Sequence, residues 1–107
     1  MQPQGHVQVL LKLIDFQMNA QAAGDAARVS HSGSQTPTGL PLDADGGLVN
    51  VELGVSDKTI RELKQRGHRV SRSAGGYGGY QGILIDRENG VLHGATESRK
   101  DGAGVGY

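Results

Sequence analysis

The sequence predicts a mixed α/β chain whose strand pairing is mostly antiparallel, and three patterns carry that prediction. An apolar stretch near the amino terminus keeps its polar residues on one stripe of helical period. The run Leu48 to Leu53 alternates apolar and polar side chains, as a half-buried strand does. Two further strand-like runs flank an Asn-Gly pair, which favours a hairpin. The expected order is helix, helix, loop, strand, helix, strand, hairpin.

The first helix is predicted over Val7 to Asn19. Gln8, Lys12, Asp15 and Asn19 form its polar stripe. Val7, Val9, Leu10, Leu11, Leu13, Ile14, Phe16 and Met18 cover most of the remaining circumference. A helix apolar almost all round belongs in an interior, sandwiched between layers. The residues that follow are too few to cover it on both sides, so the helix itself predicts a missing partner segment. Ala20 to Arg28 is Ala-rich and reads as a second short helix, which Gly24 weakens by ~1 kcal/mol relative to Ala. Val29 to Gly47 is rich in Ser, Gly, Thr and Pro, lacks a period, and reads as a surface loop. In the strand that follows, Val49, Val51 and Leu53 share one face.

The third helix is the best punctuated. Ser56 suits the N-cap and Asp57 the positive end of the dipole, while Val55 and Ile60 fall at the staple positions. Lys64 and Arg66 lie at the negative end, and Gly67 supplies a left-handed residue just beyond it. His68-Arg69-Val70 leads out as a short strand. Tyr80 to Asp86 and Val91 to Ala95 then form two strands joined by Arg87-Glu88-Asn89-Gly90, with Asn-Gly predicting a type I′ turn. The tail from Arg99 is polar and Gly-rich.

Composition narrows the function. The chain has 107 residues, 18 of them Gly, with one Phe, three Tyr and no Trp, so few large side chains are available for a core. Eleven basic and eleven acidic residues give a net charge of zero, which argues against a nucleic-acid partner. No apolar run approaches the ~20 residues of a membrane-spanning helix. The first residues carry no signal-peptide pattern. With no cysteine, disulfides and thiolate metal sites are excluded.

No constellation of side chains predicts catalysis. His6, His31, His68 and His93 are scattered without the paired spacing of a metal site and read as ordinary histidines. Gly75-Gly76-Tyr77-Gly78-Gly79 lacks the Lys-Ser or Lys-Thr of a phosphate loop and precedes a strand instead of following one. It reads as backbone packed too tightly for side chains, with Tyr77 and Tyr80 filling the space alongside. A Gly-Tyr RNA-binding tail is the weaker reading. None of Ser30, Ser32, Ser34, Ser56, Ser71, Ser73 and Ser98 lies in a nucleophile elbow. Asp43 and Asp45 beside Gly46-Gly47 are too incomplete a pattern for a calcium loop. Glu97 to Gly102 is a mixed-charge stretch suited to ion pairs or a turn.

Several strings, taken together and in order, resemble one family. Gln2-Pro3-Gln4-Gly5-His6-Val7-Gln8-Val9-Leu10-Leu11, continuing through Leu13-Ile14-Asp15-Phe16, is similar to a long helix late in the γ-glutamyltransferases, also called γ-glutamyltranspeptidases or glutathione hydrolases. Asn19-Ala20-Gln21-Ala22-Ala23 and Asp25-Ala26-Ala27-Arg28 resemble the next segment, where the family commonly has a proline in place of Ala27. Gly67-His68 and the stretch Gly94-Ala95-Thr96-Glu97-Ser98-Arg99-Lys100-Asp101-Gly102, closing on Gly106-Tyr107, follow in the expected order. The resemblance spans essentially residues 1–107 as one segment, the carboxy-terminal part of the small subunit.

That resemblance implies an N-terminal-nucleophile hydrolase with an αββα sandwich, its inner helices buried against a mostly antiparallel sheet. Family members cleave their own precursor to expose a threonine, which attacks the γ-glutamyl carbonyl of glutathione or a related amide. The glutamyl group then passes to water, an amino acid or a peptide. Every position the family uses for this, including the threonine and the Gly-Gly of the oxyanion hole, would lie before Met1. The expectation is therefore no catalytic, cofactor-binding or metal-binding residue in this chain, which alone would be inactive. Its expected partners are the large subunit and the amino-terminal part of the small subunit, with a small γ-glutamyl substrate bound by the whole. For that whole enzyme the resemblance implies a periplasmic or extracellular location. The alternative is a non-catalytic protein that pairs with another chain through its apolar helix and sheet edges.

Overall fold

In a computed structural model, residues 2–33 and 46–106 are described, and they form two compact units. The first contains residues 1–26 and 78–107, and the second residues 27–77.

In the first unit, α1 spans Gln2–Ile14, five residues earlier at its start than its apolar pattern predicts. Pro3 is compatible with this because the first helical turn needs no N–H donors. The helix stops short of Met18 because Gln17 turns left-handed at φ 51°, and the Met18 N–H bonds back to the Lys12 carbonyl at 2.9 Å. The short helix α2, Ala20–Asp25, is capped by the Asn19 side chain, which accepts from the Ala22 N–H at 2.8 Å. The antiparallel hairpin completes the unit: β4 (Gln81–Asp86) and β5 (Val91–Thr96) pair from Gln81↔Thr96 to Asp86↔Val91. α2 lies against this hairpin and beside α1, burying Ala20, Ala23 and Ala95.

The loop of the hairpin differs from expectation. A type I′ turn needs a left-handed residue at both central positions. Only Gly90, at φ 66°, is left-handed here; Asn89 is not. Instead Asp86 accepts from the Asn89 backbone N–H at 3.0 Å and from its side-chain Nδ2 at 2.8 Å, and this carboxylate closes a four-residue loop.

The second unit holds a three-stranded sheet in the order β1-β2-β3. β1 (Val29–Ser32) falls within the segment read as loop. It has one large apolar residue and no pattern of its own; pairing antiparallel with β2 (Leu48–Val51), Val29 opposite Val51, is what makes it a strand. β2 then pairs in parallel with β3 (Val70–Arg72), the connection carrying α3 (Asp57–Gln65). The ends of α3 follow the sequence closely. Ser56 accepts from the Thr59 N–H at 3.1 Å. At the other end the His68 N–H bonds to Leu63 O at 3.1 Å and the Gly67 N–H to Lys64 O at 3.0 Å, a Schellman closure with Gly67 at φ 92°. Val51 and Tyr77 are the buried apolar residues of this unit.

The α/β class and the predominance of antiparallel pairing agree with the sequence. The first helix, read as too apolar for the residues that follow to cover on both sides, is left open. Among the described residues α1 has no buried member, and Leu11, Ile14 and the following Phe16 are 45%, 69% and 70% exposed. One sheet face is equally open, with Ile83 70% and Leu92 68% exposed. The sequence carries the apolar side chains for two buried layers, and the described residues do not cover them.

Candidate functional site

The best-built polar cluster lies where β5 runs out beneath the end of α2. The last carbonyls of a helix lack partners, and α2 is too short to share the deficit along its length. Arg99 supplies it from 73 to 75 residues away: Nη1 donates to Gly24 O at 2.8 Å and Nη2 to Asp25 O and Ala26 O at 3.3 and 3.1 Å. The same Nη1 lies 2.7 Å from Oε2 of Glu97, whose side chain is fully buried. Lys12 adds a second cation, donating to Ala26 O at 3.0 Å. Positive charge at a helix carboxy terminus also suits the dipole. The mixed-charge stretch Glu97 to Gly102 is thus a structural clamp, as an ion-pair reading expects.

Gln21 makes a second long-range contact that sequence reasoning missed. Its Nε2 donates to Thr96 O at 2.6 Å, and the Thr96 N–H donates to Gln21 Oε1 at 3.2 Å. One side-chain amide thereby takes the place of a neighbouring strand at the end of β5, where unpaired backbone groups would otherwise remain. No periodicity signals such a contact, since Gln21 looks like any exposed helix residue.

The scattered histidines stay apart. His31 Nε2 lies 2.8 Å from Gly46 O, and His93 Nε2 lies 3.7 Å from Asp86 Oδ2. His6 and His68 are exposed. Among the described residues no group of three or more His, Asp or Glu could hold a metal ion. Of the serines, Ser56 Oγ sits 2.9 Å from Thr59 Oγ1 at the cap of α3, and Ser73 Oγ 2.9 Å from Tyr77 Oη. Ser34, Asp43 and Asp45 lie outside the described residues. Asp86 has its carboxyl held below the ordinary carboxylate range, first by the Asn89 side-chain amide and then by the Asn89 backbone N–H, with a smaller contribution from His93.

Tyr77 lies within the glycine run. That ring is 2% exposed, and its backbone carbonyl accepts from Nη1 of the buried Arg28 at 2.9 Å. Crowding is not what selects Gly75 and Gly76: nothing stands within 4 Å of where their Cβ atoms would be, and both are left-handed, at φ 81° and 84°. Within the run the expected crowding occurs at Gly79, where a Cβ would stand 3.1 Å from Lys100 Cγ, and it is more severe elsewhere. The Tyr80 ring occupies the space of a side chain at both Gly24 and Gly82.

A groove of about 950 Å³ opens over the exposed face of the hairpin, floored by Ile83 and Leu92 and bordered by Gln21, Gln81, Thr96 and Val105. Among the described residues no charged side chain lines it; its polar side chains are Gln21, Gln81 and Thr96, beside apolar Ile83, Leu92 and Val105. No described helix is long and apolar enough to cross a membrane.

Comparisons with known proteins bear on this scaffold. A family model described as gamma-glutamyltranspeptidase matches residues 1–107. The chain is 31% identical over 99 residues to the acylase ACY 1 proenzyme of Pseudomonas sp. strain V22, which is 92% of this chain and 15% of that protein. It is 27% identical over 100 residues to the glutathione hydrolase proenzyme of Bacillus subtilis strain 168, 94% of this chain and 15% of that one. Among solved structures, the cephalosporin acylase of Bacillus halodurans superposes with a TM-score of 0.76 at 36% identity, over 94% of this chain and 17% of that chain. The gamma-glutamyltranspeptidase of Pseudomonas nitroreducens, complexed with L-DON, gives 0.74 at 24% identity over 96% and 48%, a likeness of fold. The chain thus spans about 15% of the length of the curated relatives it matches.

Proposed function

The chain belongs to the gamma-glutamyltranspeptidase family, and on that premise we propose that residues 1–107 act as one closing scaffold segment of an enzyme that cleaves γ-glutamyl amides such as glutathione. The observation that carries this reading is a match to the family along the whole chain that spans only about 15% of its curated relatives. The nucleophilic threonine and its oxyanion donors come from other segments of that enzyme, which hands the glutamyl group to water, an amino acid or a peptide. The chain contributes the surfaces on which those segments rest: the exposed apolar side of α1 and the open face of the hairpin. Large apolar areas of this kind are costly in water and mark contact sites. By the same family reading the enzyme works in the periplasm or outside the cell.

A chimera tests the proposal. Residues 1–107 replace the matched part of the Bacillus subtilis glutathione hydrolase proenzyme, and precursor cleavage and γ-glutamyl anilide hydrolysis are followed. Maturation with turnover by the chimera, and none by the isolated chain, is the expected result. Turnover by the isolated chain would overturn its assignment as scaffold.

A second reading has its own observation. Identity is higher to the two acylases, 36% and 31%, than to the glutathione hydrolase, 27%. The enzyme would then use the same acyl-transfer chemistry on an amide whose acyl group is not γ-glutamyl. A chimera built on the acylase proenzyme decides between the two: maturation there, and failure in the hydrolase, favours the acylase reading.

A further inference from the structure

The tip of the β4–β5 hairpin carries a reactive pair that a scaffold role does not use. Asn89 is exposed and is followed by Gly90, which has nothing within 4 Å of where a Cβ would stand. An asparagine in that setting can be attacked by its own backbone, because no side chain shields the next residue's nitrogen and the left-handed glycine is free to rotate. We propose that Asn89 is a self-modification site, converted through a cyclic imide into aspartate or isoaspartate. The Gly90 nitrogen attacks Cγ of Asn89 and forms a new C–N bond. The Cγ–Nδ2 bond breaks, and ammonia leaves with the proton given up by Gly90. Water then adds to either ring carbonyl and opens the ring.

The other two asparagines lack these conditions. Asn19 is followed by Ala20, a buried residue, and its side chain is engaged as the cap of α2. Asn50 sits in the central strand, followed by the branched and fully buried Val51. The structure also supplies a brake on Asn89. Asp86 grips both its backbone N–H and its Nδ2, which draws the carboxamide toward residue 86 and away from the Gly90 nitrogen. Once the amide becomes an acid, that Nδ2 donor is gone and two carboxylates face each other across the former hydrogen bond of 2.8 Å. The hairpin tip then gains a negative charge beside His93, which lies 3.7 Å from Asp86.

The experiment is incubation of the full chain at neutral and mildly alkaline pH, followed by tryptic mapping. The peptide Glu88–Arg99 isolates Asn89. Conversion at Asn89 should run at least about tenfold faster than at Asn19 or Asn50, a barrier lower by about 1.4 kcal/mol. Asp86→Ala should hasten it further, and Gly90→Ala should slow it to the level of the other asparagines. Equal rates at Asn89 and Asn50, or a Gly90→Ala variant as fast as the parent, would overturn the site. An unchanged rate in Asp86→Ala would overturn the brake.

Discussion

Arg99 shows how far one side chain can act from its place in the chain. It closes the end of α2 through three carbonyls and pairs with a carboxylate buried beside it. Breaking a buried pair by removing one partner leaves an uncompensated charge, so Arg99→Ala should cost about 3 kcal/mol in urea unfolding. Arg99→Lys should recover only part of this, because a single ammonium cannot span the carbonyls and the carboxylate as a planar fork does. Asp86 gives a pH-dependent counterpart. Its folded pKa is lowered, chiefly by the Asn89 side-chain amide. The stabilisation is therefore complete above the ordinary carboxylate value of about 4 and is lost as pH falls through the lower folded value. NMR of the Asn89 amide signals should show the loop loosening only on the acid side of pH 4 or so, and Asn89→Ala should move the Asp86 titration upward. Loosening as the pH rises through neutrality would contradict the assignment.

At the scale of elements, local chemistry and distant contacts share the outcome unequally. α3 was legible because its signals lie within a dozen residues: an N-cap serine, an acidic first turn and a glycine past the end, each found in place. β1 was not, since Val29-Ser30-His31-Ser32 is a strand through its partner β2 and through nothing in its own pattern. Gly24 separates the two cases. Helix propensity alone says that Gly24→Ala should stabilise α2 by roughly 1 kcal/mol. The Tyr80 ring already fills the space that the methyl would take, so the opposite sign is expected, a loss of about 1–3 kcal/mol from overpacking. Thermal unfolding of Gly24→Ala with and without Tyr80→Ala reads the difference. The penalty should disappear in the double variant, and a stabilising Gly24→Ala alone would remove Tyr80 from the account.

For the whole molecule, the question is what the apolar surface is for. Leu11 is 45% exposed in this chain, although the all-round apolar helix around it reads as interior. Leu11→Asp should therefore be nearly neutral, within about 0.5 kcal/mol, in the isolated chain, as ordinary exposed substitutions are. In the chimeric enzyme the same change should block precursor maturation, because there it would place an unpaired charge in the interior. The two measurements, unfolding of the chain and cleavage of the precursor, bracket the proposal. Near-normal maturation of the Leu11→Asp chimera would mean that α1 is not an inner helix. The candidate site follows the same division. The clamp of Arg99 and the bridge of Gln21 join residues more than 70 positions apart, beyond the reach of residue spacing, whereas a cap such as Ser56 is read from its neighbours.

By itself the sequence determined the α/β class, the caps of α3, the hairpin and the family, because these rest on residue type within short windows or on strings preserved in order. Only the tertiary structure decided that residues 29–32 form a strand and that Asp86 closes the hairpin loop. It also decided that Arg99 and Gln21 serve α2 and β5 from a distance, and that the apolar side of α1 stays open within these residues. The physical reason is the range of the forces involved. A cap or a turn is satisfied by neighbours along the chain, while a strand pairing, a buried charge or a covered helix face needs a partner that only folding brings near.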